Sequence, residues 1–503
     1  MSDPFPLPGP ENPEAAEARL LQAIHQAGPV GMTAKQLATL TRLPSETIAD
    51  RLGALADRRR IARVGRGLWV VSRFEHWNPA EPERFRVEFE REYRLTVGSR
   101  TGPVQFRSNE SLPVHRWWPY VQGFSAEFVR DTCQRFEMGT GSVVLDPFCG
   151  SGTVPTEVRL LGARGIGIDL MPITAFVAAA KQEWNARPAK LREIAERVVS
   201  DRRPPTLAPP FLKETRRQFP AEVRTTLLRL KEDIGDLPEG PEQRLLRLAF
   251  ASILIDSSAL KRSPCLGYAR NKDLSGDRTR ALFRSAIETI ATDLAELQRR
   301  RKDWGPRGKI IPGNAGQVPL APGSVNLAIT SPPYVNGMDY VMNYKVDLAW
   351  MGFANSYEDL ARLRSAMVAC DNIPRQLSAT HEPSPEVASD PWVRSVREGI
   401  DRGVRAKRTY RRSDMGAVVT KYFDDLLPVL RNVHRALRPG GRFVVVNGDS
   451  LMAGTYVPGD MIFARLASAV GFQVEEFRVA RTRRSGQRRG FLLRESIAVL
   501  RRD

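Results

Sequence analysis

Cysteine and histidine are scarce in this chain, four and five among 503 residues. Cys133, Cys149, Cys265 and Cys370 lie far apart with no C-x-x-C spacing, so neither a zinc site nor a redox pair is expected. The histidines are scattered too, and no metal site is expected from them. No apolar run reaches the roughly 20 residues that a bilayer-spanning helix needs. The opening stretch "MSDPFPLPGPENPEAAEARL" lacks the basic start and apolar core of a signal peptide. A cytosolic protein without a membrane partner is the expectation. Acid is short as well: 57 Asp and Glu stand against 76 Lys and Arg, a net charge of +19. That excess points to a polyanion, nucleic acid first. The bland alternative is an arginine-rich proteome, which spreads the charge evenly.

Punctuation along the chain divides it. Residues 1–13 are proline-rich and read as a loose N-terminus. Within 14–75, helical spacing from Glu14 to Gln26, from Thr33 to Leu40 and from Ser45 to Arg58 precedes "RIARVGRGLWVVS", a glycine-punctuated hairpin. Thr33 and Ser45 are the expected N-caps. Three helices and a hairpin resemble a winged helix-turn-helix, with Ser45 to Arg58 in the recognition position; a protein-contact domain of the same shape is the alternative. Residues 76–120 read as a connector, 121–185 as the first part of an α/β core, and 186–305 as a helical insertion. The second part of the core follows at 306–356, a basic insertion at 357–415, and the C-terminal strands at 416–503.

Two stretches carry chemistry. In "SVVLDPFCGSGTVPTEVRLLGARGIGIDLMP", Val143 to Leu145 read as a strand closed by Asp146, and Gly150-Ser151-Gly152-Thr153 turn the chain into a helix. Glycine there allows close approach to the backbone, and a helix N-terminus offers free N–H groups. A second strand ends in Asp169, about 20 residues on, placed to accept from ribose hydroxyls. The second stretch is "ITSPPY", Ile329 to Tyr334, at the end of an apolar run that reads as a core strand. Two prolines give a stiff turn whose free backbone groups are carbonyls. A hydroxyl at one end and a flat ring at the other suit a planar, amine-bearing molecule; a plain turn or a proline-rich docking segment is the alternative.

"DPFCGSGT" together with "TSPPY" resembles the S-adenosylmethionine-dependent methyltransferases that modify exocyclic amines of DNA bases. The resemblance spans roughly residues 115–185, 309–350 and 418–500. It implies an α/β, Rossmann-like methyltransferase sheet with helical insertions, behind the small winged-helix-like domain. It implies that Asp146, Phe148, Gly150, Gly152 and Thr153 cradle the methionine part of S-adenosyl-L-methionine, and that Asp169 holds its ribose. Phe124, in "GFSAEFV", resembles the segment that closes over the methionine end; an ordinary amphipathic helix is the alternative. The family usually has Gly-Asp-Ala where this chain has Gly313-Asn314-Ala315, so Asn314 would meet the adenine amine through a carbonyl and without charge.

By the same resemblance, Ser331 Oγ and the Pro332 carbonyl accept the target amine's hydrogens, Pro333 stiffens the loop, and Tyr334 stacks on a base flipped from the duplex. Ser in the first loop position leans toward cytosine N4, and Asp toward adenine N6. Methylation at cytosine C5 needs a thiolate, commonly in a Pro-Cys pair. Pro264-Cys265 is such a pair, read as structural because it lies in the helical insertion. An adenine N6 enzyme, an RNA base methyltransferase and a non-catalytic DNA-binding regulator remain open alternatives. Double-stranded DNA is the expected partner, and a restriction or defence partner stays open. Phosphate contacts are expected from Arg51, Arg58 and Arg63, from Arg405 and Arg408 in the basic insertion, and from Arg481, Arg483, Arg484 and Arg488 in a loop before the final strand.

Overall fold

The computed structural model describes residues 13–27, 32–58, 60–64, 68–71, 81–99, 106–120, 123–262, 265–300, 304–370, 373–406, 412–484 and 492–503. Its centre is an eight-stranded sheet. In chain order the strands are β1 (Gly98–Ser99), β2 (Val143–Asp146), β3 (Arg164–Asp169), β4 (Lys309–Pro312), β5 (Val325–Thr330), β6 (Leu437–Gly448), β7 (Phe472–Arg484) and β8 (Leu492–Arg502). In space they run β1-β7-β8-β6-β5-β2-β3-β4. β6, β5, β2, β3 and β4 are parallel, and β8 lies antiparallel between β6 and β7.

The strands are apolar because both faces are covered. Leu145, Ala328 and Val445 pack toward the helices Met415–Ala436 and Gly459–Ala469. Val144, Leu327, Ile329 and Val444 pack toward Ala126–Arg135 and Thr153–Leu160. This is a doubly wound α/β sheet. The chain leaves β2 in one direction, to β3 and β4, and leaves β5 in the other, to β6. The carboxyl ends of β2 and β5 therefore flank a topological switch point, where such sheets bind ligands.

Outside the sheet, the first described elements are the helices Pro13–Ala27, Ala34–Thr41 and Ser45–Asp57 and a three-stranded antiparallel sheet of Met32–Thr33, Leu68–Val71 and Ile61–Val64. Thr33 N-caps its helix in a capping box with Gln36. Ser45 is already helical, and Pro44 holds the N-cap. The segment read as a connector, 76–120, belongs in part to the core. Its helix Glu81–Tyr93 buries Phe85 against Trp392 at 4.6 Å and Phe89 against Phe477 at 4.9 Å, and β1 closes the sheet edge. The described residues of 186–305 are mainly helical, with Pro188–Ser200, Ala221–Gly235, Pro241–Ile253 and Gly276–Arg299 the longest helices. They share one apolar cluster with Trp350 and Tyr344 of the segment that follows β5. Among the described residues no helix is long and apolar enough to cross a membrane.

Candidate active site

The glycine loop sits at the end of β2 as a set of turns tied to β3. The Cys149 N–H donates to the Ile168 carbonyl at 2.9 Å, and Gly152 N–H to the Cys149 carbonyl at 2.8 Å. Gly150 and Gly152 have φ of +50° and +84°, the left-handed region that favours glycine. Space also demands them: a Cβ on Gly150 would stand 2.8 Å from the Tyr120 ring, and one on Gly152 would stand 2.9 Å from Ala178 Cβ. These glycines thus answer first to backbone conformation and to protein neighbours, the second of them to helix packing. Thr153 opens the helix and faces the cleft.

Asp169 clamps this loop. Its Oδ2 accepts from the Gly150 N–H at 2.8 Å, and its Oδ1 from the Met171 N–H at 2.9 Å and the Thr174 hydroxyl at 2.7 Å. A carboxylate has about four lone-pair sites, so three are engaged within the protein. Asp146 Oδ1 accepts from the Thr330 hydroxyl at 2.7 Å and the Phe148 N–H at 3.0 Å, which ties β2 to β5. Burial pushes Asp146 up to about 7, with Asp169 adding to the rise against those two donors. Burial raises Asp169 as well. Asn314 spends an oxygen lone pair on the Gly316 N–H at 2.9 Å. Phe124 lies before its helix, which is N-capped by Ser125, and Asn109 holds the segment through the Phe124 carbonyl and the Ala126 N–H.

Phe124, Asp146, Phe148, Gly150, Thr153, Asp169 and Asn314 line one cleft of ≈ 870 Å³, counted to its open mouth; Gly152 turns away from it. Ser151 Oγ beside it is buried and has no partner among the described residues, an unspent polar atom in the loop. The cleft has the shape, the free loop groups and the two carboxyls to hold a nucleoside with a cationic tail. Ser331 and Pro333 reach into it from the end of β5.

Ser331 also lines a second, larger cleft of ≈ 3360 Å³, together with Pro332 and Tyr334. The loop from Ser331 to Tyr334 is therefore a partition between two spaces. It is held from behind. The Tyr422 hydroxyl donates to the Pro333 carbonyl at 2.9 Å, and the Tyr334 hydroxyl donates to Glu495 Oε1 at 2.6 Å. Glu495, on β8, is itself paired with Arg481. A Cβ on Gly448 would stand 3.1 Å from Tyr334 Cε2, so β6 seats the ring edge-on. Burial and the Glu495 carboxylate raise the Tyr334 hydroxyl well above its ordinary range.

The expected cations are dispersed. Arg481 and Arg483 line the larger cleft, Arg483 donating to the Asp449 carbonyl at 2.8 Å. The stretch from Arg478 is strand as far as Arg484, not loop, because β8 pairs with it residue by residue up to Arg484↔Leu492. Arg58 and Arg51 both lean on Glu17, at 3.0 and 3.9 Å, and Arg63 lies 6.0 Å from the Trp69 ring. Arg405 is exposed at the end of the helix Pro391–Arg405. Arg408, Arg488 and Pro264 lie outside the described residues, as does the side chain of Arg484. Cys265, in the helical insertion, is exposed and lines the larger cleft. Cys149 is buried in the cofactor loop, its thiol pushed well above the ordinary range by burial.

Several residues of the site had no local signal. Tyr120 lines both clefts, and so does Tyr340. Ala366, Met367 and Val368, at the end of a helix in the basic insertion, close the smaller cleft. Glu495 anchors Tyr334 across 161 positions of chain. Tyr120 had a pointer in the aromatic run "WWPY", and Tyr340 had one in "SPPYVNGMDY", which follows the loop closely enough to fall near the site; the others had none.

The chain is similar to the Type II methyltransferase M.BsoBI of Geobacillus stearothermophilus, 24% identical over 491 residues, covering 86% of this chain and 94% of that one. It is similar also to the Type II methyltransferase M.AvaI of Anabaena variabilis, 25% identical, covering 82% and 89%. Among solved structures, a TehB-like SAM-dependent methyltransferase from Corynebacterium glutamicum aligns at 11% identity with a TM-score of 0.25, covering 85% of this chain and 100% of that one. No family model matches the sequence.

Proposed function

We propose that this protein is a site-specific DNA methyltransferase that moves a methyl group from S-adenosyl-L-methionine to an exocyclic base amine, cytosine N4 before adenine N6. One observation carries the reading: Ser331 stands in the wall shared by the cleft of the glycine loop and the larger cleft of Tyr334. Similarity to Type II methyltransferases over most of the chain supports it. The bound cofactor supplies an electrophilic methyl on a sulfonium.

The chain's residues do the rest. An exocyclic amine is a poor nucleophile because its lone pair is delocalised into the ring. Ser331 Oγ and the Pro332 carbonyl each accept one of its hydrogens, which draws the nitrogen toward a pyramid and aims its lone pair through the partition. Tyr334, fixed at its hydroxyl and its edge, offers a face to the flipped base. The cofactor, when bound, would supply the methyl carbon with its sulfur as leaving group, and the amine held by Ser331 and Pro332 would give up one proton to solvent through the open larger cleft. Positioning and hydrogen bonding supply the catalysis, with no covalent enzyme intermediate. Asp146 and the Asp169 clamp hold the loop that binds the cofactor's charged end and ribose, and Asn314 faces its base. The three-helix, three-strand N-terminal unit is read as a winged helix on DNA, and the protein as one that works in the cytoplasm, on the nucleoid.

A thiolate mechanism at cytosine C5 has one observation in its favour, the exposed Cys265 in the larger cleft. Single-molecule sequencing of plasmid DNA from cells that express the protein tests both. The expected outcome is N4-methylcytosine at one short motif. An unmodified plasmid, or C5-methylcytosine, contradicts the amine mechanism.

A further inference from the structure

Two short antiparallel strands of the helical insertion, Leu260–Arg262 and Leu266–Tyr268, stand apart from the main sheet. They form a wall of the larger cleft opposite the catalytic loop, through Lys261, Arg262, Cys265 and Leu266. They are bolted to the segment that follows that loop. The Leu266 N–H donates to Asn343 Oδ1 at 2.6 Å, and Arg262 donates to the Asn343 carbonyl at 3.1 Å. The same guanidinium pairs with the buried Asp347 and lies 4.2 Å over the Tyr344 ring. That ring continues as a stack to Trp118 at 5.4 Å and to Tyr120 at 6.3 Å, and Tyr120 covers Gly150. The ribbon is thereby tied to the segment that follows the loop of Ser331, and the two line the same cleft.

Its outer chemistry is unspent. Most cations of this cleft are engaged: Arg262 with Asp347, Arg364 with Asp339, Arg481 with Glu495, Arg483 with the Asp449 carbonyl, and Lys272 with two carbonyls. Lys261 is exposed and makes no hydrogen bond or ion pair among the described residues. A two-stranded ribbon fits the major groove of a duplex, and a lysine there pairs with the acceptor edge of guanine.

Resting on the proposed function, we infer that this ribbon is the target-reading element: it enters the major groove beside the flipped base, and Lys261 donates to base acceptors there. Arg262 is a positioning residue that sets the ribbon's angle. A phosphate contact by Lys261 would weaken all sequences alike, whereas a base contact relaxes one position, and the two are separable.

The test uses the full chain and short duplexes, the target motif and every single base-pair change in it. For Lys261→Ala, the cofactor binds as in the wild type, and the preference in kcat/KM for the motif over a changed pair falls about tenfold or more at one or two positions. Arg262→Ala, if folded by circular dichroism, loses discrimination at those same positions. Unchanged discrimination at every position for Lys261→Ala overturns the inference, whether or not the overall rate falls. A wild-type protein that methylates no duplex overturns the function beneath it.

Discussion

At the residue scale the two carboxyls of the smaller cleft make the sharpest statement. Asp146 is raised to about 7, so it keeps its proton where a free carboxylic acid has lost it. Its share of stability is present below the unfolded value and is lost as pH rises through about 7. A cationic ligand favours the ionised form, so the sign for binding is the reverse. S-adenosylmethionine affinity should rise from about pH 6 to about pH 8, across the Asp146 value. Asp146→Asn keeps the Oδ1 that Thr330 and Phe148 use and should flatten the slope; calorimetry across pH measures both, and parallel slopes sink the assignment. Asp169 is a poorer probe of the ribose, since Asp169→Ala also frees Gly150 and Met171.

The catalytic loop gives a second set of residue predictions. Ser331→Ala should lower kcat far more than cofactor affinity, because it removes the acceptor for the amine and keeps the main chain of the wall that the two clefts share. Glu495→Ala should lower kcat as well, by about tenfold or more, since one buried hydrogen bond of this kind is worth about 1–3 kcal/mol. Single-turnover rates beside equilibrium binding separate the two quantities. Cys265→Ala should leave transfer intact; a folded but dead Cys265→Ala revives the thiolate route.

At the element scale, what was legible in the sequence was local. Val143 to Asp146 and the run to Thr330 declare themselves as buried strands through continuous apolar residues, and the glycines and prolines after them announce sharp turns. The N-cap at Thr33 was legible from its place before the helical spacing, and its capping box with Gln36 is what the structure adds. What was illegible depends on partners far along the chain. Arg478 to Arg484 read as a basic loop, yet pairing with β8 makes them strand, because a ladder outweighs the weak preference of arginine. Phe85 and Phe89 gave no sign that their helix would fill the core beside Trp392. Glu495 and Met367 enter the site only when the sheet has assembled.

The first unit allows an element-scale prediction. Arg51 and Arg58 share Glu17, so part of the basic charge there is already balanced within the unit. A chain that begins at Phe74 should keep cofactor binding, since no part of either cleft is removed. It should lose DNA affinity, with a shallower dependence on salt, because fewer phosphates are neutralised. Anisotropy over a salt series reads both. Equal affinity and equal slope would assign the unit to protein contact.

For the whole molecule, a net charge of +19 and a sheet that opens two clefts at one switch point belong to the same design. On the proposed function, the charge serves to draw in a polyanion, and the partition at Ser331 to present a single flat group from it to the smaller cleft. The central claim is that the chain transfers a methyl group to a base amine across this partition. Incubating the protein with DNA and methyl-deuterated S-adenosylmethionine, then hydrolysing the DNA and weighing its nucleosides, tests it most directly. The account predicts the label in N4-methylcytosine, lost with Ser331→Ala and kept with Cys265→Ala. Label in C5-methylcytosine, or none in the DNA at all, would contradict it.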